Sequence, residues 1–190
     1  MDDALQATLA AVALLERLGL RYLIGGSLAS SLHGVPRSTR DADLAVELTP
    51  DRVDDLVAAF RGSFYVDDEA ARSAVARQAS FNVIHLPTMF KVDLFVLGDD
   101  ELARSELARC ERHLVGEPPA EVFVASAEDV VIQKLLWYRL GREVSERQWL
   151  DVVGVLQVQG DRLDTAYLQR WAAQLGLDEL LAAAFAAATD

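Results

Sequence analysis

The sequence predicts an α/β (α+β) fold: a mixed β-sheet with flanking helices, followed by a C-terminal helical lobe. A change of pattern carries that expectation. Up to residue 125, short apolar runs with strand-like alternation are interleaved with helical stretches, whereas from Ser126 onwards only helical periodicity remains. The length agrees, because 190 residues with 52% apolar composition can bury a real core yet are too few for two full domains. The expected division is an α/β core over 1–125 and a helical lobe over 126–190.

Residues 2–18 read as a helix, since Leu5, Leu9, Val12, Leu15 and Leu18 recur at three- and four-residue steps and Gly19 stops the pattern. Residues 21–24 form a short strand that ends at Gly25-Gly26, after which Ser27 caps a helix to about His33. Gly34 and Pro36 end that helix. Residues 41–48 alternate as a strand does, and Thr49-Pro50-Asp51 opens a helix through Phe60. The runs 80–86 and 89–97 pair as a hairpin around Pro87-Thr88, and 121–125 supplies a last strand. Helices then follow over 127–140, 145–158, 164–175 and 177–188, separated by Gly141, Gly160 and Gly176. There is no internal repeat and no long flexible linker.

Composition narrows the function classes. Lys and Arg number 18 against 30 Asp and Glu, a net charge of −12, which argues against unspecific coating of DNA while leaving room for a local basic groove. The chain is neither collagen-like, low in complexity nor a disulfide scaffold. Cys110 is its only cysteine, so neither an intrachain disulfide nor a cysteine-based zinc site can form. Asp2 and Asp3 stand where a signal peptide carries basic residues, and Glu16 and Arg17 interrupt the apolar stretch. The apolar tail 180–188 is too short to cross a bilayer. A cytoplasmic location without a membrane partner is expected.

Three features bear chemistry. Gly25-Gly26-Ser27 lies between a strand and a helix, where glycines admit a phosphate to the backbone and a helix start offers N–H groups; a tight turn without a ligand uses the same residues. Asp41 and Asp43, two residues apart on a strand, point to one face. Such a pair repels unless a cation lies between, and Mg²⁺ suits carboxylate and phosphate oxygens together; a solvated strand edge is the plain alternative. Asp93 sits within an apolar strand, where burial requires a partner, either a metal shared with the Asp41–Asp43 pair or an arginine. Three carboxylates on one face can hold two metals for in-line displacement at phosphorus. His33, His85 and His113 lack zinc-ligand spacing, and no Gly-x-Ser-x-Gly elbow is present. Trp137, Tyr138 and Trp149 read as core, with Tyr138 also a candidate for lining a nucleotide pocket.

The order Gly26-Ser27, Asp41-x-Asp43, Asp93 resembles the nucleotidyltransferase superfamily that includes DNA polymerase β-type enzymes. Gly25-Gly26-Ser27-Leu28-Ala29 through His33-Gly34, Arg37, Thr39, Asp41 and Asp43 is similar, more narrowly, to the AbiEii-like toxin and abortive-infection branch. So are Glu128-Asp129 through Gln133-Lys134-Leu135 and Ser145-Glu146-Arg147-x-x-x-Asp151, the resemblance spanning roughly residues 20–158. It implies a nucleotidyltransferase-type sheet and roles residue by residue. Asp41, Asp43 and Asp93 would bind the metals, with Asp93 also assisting deprotonation of the attacking hydroxyl. Gly25, Gly26 and Ser27 would hold the triphosphate. Lys134 would be a point charge for its oxygens and Arg37 and Arg40 would steady phosphates, surface ion pairs being their alternative. Asp151 matches an acidic position of the helical half and could equally belong to a surface network with Glu146 and Arg147.

The implied activity is Mg²⁺-dependent transfer of a nucleoside monophosphate from an NTP to a hydroxyl, with Mn²⁺ a possible substitute. The acceptor would be tRNA, as in type IV toxin–antitoxin relatives, or a small molecule such as an aminoglycoside. An antitoxin protein is the expected partner. A non-catalytic nucleotide-binding module is the competing class.

Overall fold

A computed structural model describes residues 3–189. In chain order its elements are α1 (Asp3–Arg17), β1 (Tyr22–Ile24), α2 (Gly26–His33), β2 (Asp41–Val46), α3 (Val53–Phe60), β3 (Phe64–Val66), α4 (Asp68–Arg77), β4 (Ser80–His85), β5 (Phe90–Val96), α5 (Glu101–Arg109), β6 (Glu111–Val115), β7 (Ala120–Val124), α6 (Ala127–Leu140), α7 (Glu146–Gln159), α8 (Thr165–Leu175) and α9 (Asp178–Thr189). Short 3-10 turns occupy Pro50–Arg52 and Gly160–Arg162. Two compact units result: Met1–Gly25 with Thr39–Ala125, and Gly26–Ser38 with Ser126–Asp190. The helical unit therefore takes in residues 26–38, well before the change of pattern at 126. Asp2, the first residue of the expected opening helix, lies outside the described residues.

The first unit is built on a seven-stranded mixed sheet ordered β3-β4-β5-β2-β1-β7-β6. β2 runs parallel to β5 and antiparallel to β1, while β3, β4 and β5 form an antiparallel meander. Burial alternates along the two central strands as their sequences alternate. Ala42, Leu44 and Val46 of β2 and Val92, Leu94 and Val96 of β5 are buried on one face. That face meets α1, which in turn packs on α3. The small side chains Ala4, Ala7 and Ala11 let α1 lie close, and Leu15, Leu56 and Phe60 fill the space beside it. The opposite face of β2 and β5 carries Asp41, Asp43, Lys91 and Asp93, followed by Ala45 and Phe95.

The pattern reading passed over four elements. α4 and α5 have few large apolar residues, so their periodicity is faint; each is instead fixed by a side-chain cap, Asp67 accepting from Ala70 N at 3.0 Å and Asp100 from Ala103 N at 3.0 Å. β3 is three residues long, and β6 is an edge strand with Leu114 exposed, defined by its pairing to β7. Ser27 is also corrected: α2 opens at Gly26, whose φ of 54° is a left-handed turn that glycine adopts freely, so Ser27 stands inside the first turn instead of capping it.

The second unit gathers α2, α6, α7, α8 and α9. α6 is capped by Ser126, α7 by Ser145 and α8 by Asp164. Buried Asp129 accepts from Ser126 Oγ at 2.6 Å and from the Tyr167 hydroxyl at 2.5 Å, which ties the start of α6 to α8. Tyr138 stacks on Trp149 with ring centroids 5.4 Å apart, but Trp137 is half exposed and is not core. Among the described residues no helix is long and apolar enough to cross a membrane.

Gly34, the residue after α2, lies hard against α7: a Cβ there would come within 2.8 Å of Val155 N and 2.9 Å of the Gly154 carbonyl carbon. Both are backbone atoms and neither can swing aside. Gly34→Ala is accordingly expected to lower the unfolding free energy by about 1–3 kcal/mol, the usual cost of overpacking. Urea titration followed by circular dichroism checks this; an unchanged midpoint contradicts it.

Candidate active site

The sheet brings the three acidic residues singled out in the sequence to one face. β2 and β5 are hydrogen-bonded neighbours in a register that sets Asp43 beside Asp93 and Asp41 beside Lys91. Because residues two apart share a face, Asp41, Asp43, Lys91 and Asp93 all project to the same side. Lys91 Nζ lies 2.6 Å from Asp93 Oδ2 and 3.6 Å from Asp41 Oδ2. The hydrogen bond to Asp93 raises the Lys91 pKa above its ordinary value; partial burial opposes this, and the charges of Asp93, Asp41 and Asp43 add to the rise. Thr39 Oγ1 donates to the Asp41 carbonyl at 2.8 Å and reaches Asp41 Oδ1 at 3.2 Å, fixing the start of β2.

Gly25 is joined to this arrangement through its backbone: its N–H donates to the Asp43 carbonyl at 2.9 Å. That group thus holds the turn against β2. Arg40, one residue before Asp41, is exposed.

The donors are of the type that a divalent cation takes. Three carboxylates supply only hard oxygen ligands, and an ammonium already lies where positive charge is favoured. No comparable set of nitrogen or sulfur ligands accompanies Asp41, Asp43 and Asp93 on β2 and β5, so a hard ion suits the face better than zinc.

A second constellation forms within the helical unit. Asp151 on α7 is 7% exposed and is shared by two cations. Arg37 grips it with both arms of the guanidinium, Nε to Oδ1 at 2.6 Å and Nη2 to Oδ2 at 2.7 Å, and Lys134 Nζ from α6 donates to Oδ2 at 2.7 Å. Arg37 Nη2 also donates to Ser27 Oγ at 2.7 Å. Burial works to raise the Asp151 pKa, but the hydrogen bonds from Arg37 and Lys134 and their charges outweigh it and hold the carboxyl below its ordinary range. With one anion and two cations the cluster keeps a net positive charge.

Gly26, Ser27, Arg37, Lys134 and Asp151 therefore belong to one unit, and Asp41, Asp43 and Asp93 to the other, together with Gly25 and Arg40. The surface network suggested for Glu146, Arg147 and Asp151 does not form: Glu146 and Arg147 are exposed while Asp151 turns inward to Lys134. Arg139 is engaged elsewhere, donating to the Leu175 and Gly176 carbonyls at the end of α8. Lys91 is the residue to which sequence reasoning gave no task. Its signal was its place two residues before Asp93 on the same strand face.

Solved structures of similar fold exist. The solution structure of antibiotic-resistance factor ANT(2'')-Ia matches with a TM-score of 0.57 at 18% identity, over 91% of this chain and 96% of that one. A nucleotidyltransferase-like protein from Paracoccidioides brasiliensis matches at 0.54 and 19% identity, over 95% and 91%. The lincosamide antibiotic adenylyltransferase LnuA, lincomycin-bound, matches at 0.53 and 10% identity, over 83% and 98%. No relative is found among curated proteins. Residues 3–188 match the family described as nucleotidyl transferase AbiEii toxin, type IV toxin–antitoxin system, and the chain belongs to that family. It is a nucleotidyltransferase.

Removing the Asp151 charge leaves Lys134 and Arg37 buried or half-buried against a neutral group. Asp151→Asn is expected to cost about 3–5 kcal/mol of stability, as breaking a buried ion pair from one side does. Because the folded pKa of Asp151 is depressed, its contribution is fully present above the ordinary carboxylate value of 3.8 and is lost as pH falls through the lower folded value. Wild-type stability should thus fall below about pH 4, with a smaller fall in Asp151→Asn. Denaturant titrations between pH 2 and 7 read both; a variant as stable as wild type at pH 7 contradicts the argument.

Proposed function

We propose that this nucleotidyltransferase moves a nucleoside monophosphate from an NTP to an acceptor hydroxyl, with divalent ions held by Asp41, Asp43 and Asp93. The observation that supports it is the register pairing of Asp43 with Asp93 on adjacent parallel strands, with Asp41 on the same face. The acceptor oxygen attacks the α-phosphorus, the bond to the bridging oxygen of the β-phosphate breaks, and pyrophosphate leaves. Asp93 takes the proton of the attacking hydroxyl. Bound Mg²⁺, or Mn²⁺ in its place, would supply charge against the phosphate oxygens and lower the pKa of that hydroxyl.

Lys134, Arg37 and Ser27 would offer phosphate oxygens a net positive, donor-rich cluster, with Asp151 holding the two cations in place. The Gly25-Gly26 turn brings backbone to the phosphates, and exposed Arg40 adds charge. An antitoxin protein as partner rests on the family description alone.

Two acceptor classes follow from separate observations. Membership of a type IV toxin–antitoxin family favours tRNA, the acceptor that the sequence resemblance implies. The net charge of −12 disfavours a long polyanion and supports a small hydroxylated molecule. Similar structures agree with the latter: one is ANT(2'')-Ia in complex with adenylyl-2''-tobramycin (TM-score 0.57).

Incubation with α-labelled NTPs and Mg²⁺, with tRNA in one arm and aminoglycosides in the other, is the test. Wild type should label one acceptor, and Asp43→Ala should lower the rate by roughly a thousandfold, the several kcal/mol that metal-held charge contributes. If neither acceptor is labelled, and NTP binds wild type and Asp43→Ala alike without regard to Mg²⁺, a non-catalytic nucleotide-binding module is the correct reading.

A further inference from the structure

The carboxylate face has a built-in cation. Asp41, Asp43 and Asp93 bring three negative charges to one side of β2 and β5, and the ammonium of Lys91, raised on the same face of β5, touches two of them at 2.6 and 3.6 Å. Its side chain is 43% exposed, whereas that of Asp93 is 19% exposed, so the ammonium reaches inward from a solvated position to a more sheltered oxygen. Lys91 and Lys134 are the only lysines of the chain, and both are spent on aspartates at hydrogen-bond distance.

We infer that Lys91 is the resident counter-ion of this face: it holds the aspartates together while no divalent ion is bound and competes with that ion when it arrives. The inference rests on the proposed metal role of the three aspartates and adds a positioning residue to it. An ion that uses Asp93 Oδ2 or Asp41 Oδ2 must either displace the ammonium, which forfeits both contacts, or accept a like charge within a few ångströms. Either way Lys91 weakens metal binding. Across about 6 Å the repulsion between a divalent and a monovalent cation is worth about tenfold in affinity even in water-like surroundings. The same contacts imply the opposite effect without metal, because removing the ammonium leaves three neighbouring carboxylates to repel one another.

The test is Mn²⁺ binding to the full chain, read from the free-ion electron paramagnetic resonance signal without nucleotide, for wild type, Lys91→Met, Lys91→Gln, Lys91→Arg and Asp43→Asn. The thermal midpoint of each is measured with and without Mn²⁺. Both neutral variants should bind Mn²⁺ about tenfold more tightly than wild type, melt lower in metal-free buffer, and recover on adding the ion. Lys91→Arg, which keeps the charge, should remain close to wild type. If wild type binds Mn²⁺ better than Asp43→Asn but Lys91→Met and Lys91→Gln show no gain, the counter-ion inference is wrong and the metal site stands. If wild type and Asp43→Asn bind equally poorly and the Lys91 variants do no better, the metal reading fails and the competition claim fails with it.

Discussion

Carboxylates set side by side on paired strands repel one another, and here the sheet holds them together because its other face is buried. Asp41, Asp43, Lys91 and Asp93 alternate with Ala42, Leu44, Val92 and Leu94, whose burial against α1 fixes the register of β2 on β5. A one-residue slip of either strand would turn its acids into the core and its aliphatics to solvent. Hydrophobic burial on one side thus enforces an unfavourable electrostatic arrangement on the other, and Lys91 offsets part of that cost. A face organised in this way is stabilised by a cation placed against it.

The helical unit answers a different problem. It places a buried lysine, Lys134, and a half-buried arginine, Arg37, close together, and like charges there repel unless an anion lies between them. Asp151 solves this by accepting two arms from Arg37 and one donor from Lys134, leaving a cluster that is ordered and still net positive. The desolvation cost is met by hydrogen bonds on both carboxylate oxygens, the condition under which a buried ion pair is tolerated. Gly34 contributes by letting the backbone following α2 touch α7, which carries Asp151. Both constellations fall within residues 3–188, the span that matches the AbiEii nucleotidyl transferase family.

Much of the fold was legible because its elements announce themselves by periodicity or punctuation. The long helices α6 to α9 and the central strands β2, β4 and β5 combine strong apolar patterning with clear stops, and they appear within a residue or two of their expected bounds. α4 and α5 were invisible because small and charged residues dominate them, and a side-chain cap is a weaker signal than an apolar stripe. β6 was invisible because an exposed edge strand is defined by its partner rather than by its own residues. Asp151 shows the limit most plainly: its neighbours Glu146 and Arg147 suggested a surface network, and only the packing of α6 against α7 turned it inward to Lys134.

By itself the sequence determined the class of fold and which residue types were available for chemistry, since alternation, glycine turns and the order of acidic residues are properties of the chain. The tertiary structure decided who meets whom. Asp43 lies beside Asp93, Lys91 between Asp41 and Asp93, and Arg37 on Asp151 across 114 positions of chain. Such pairings depend on strand register and helix packing, which are set by the shape of the whole core and leave no local trace in the residues they bring together.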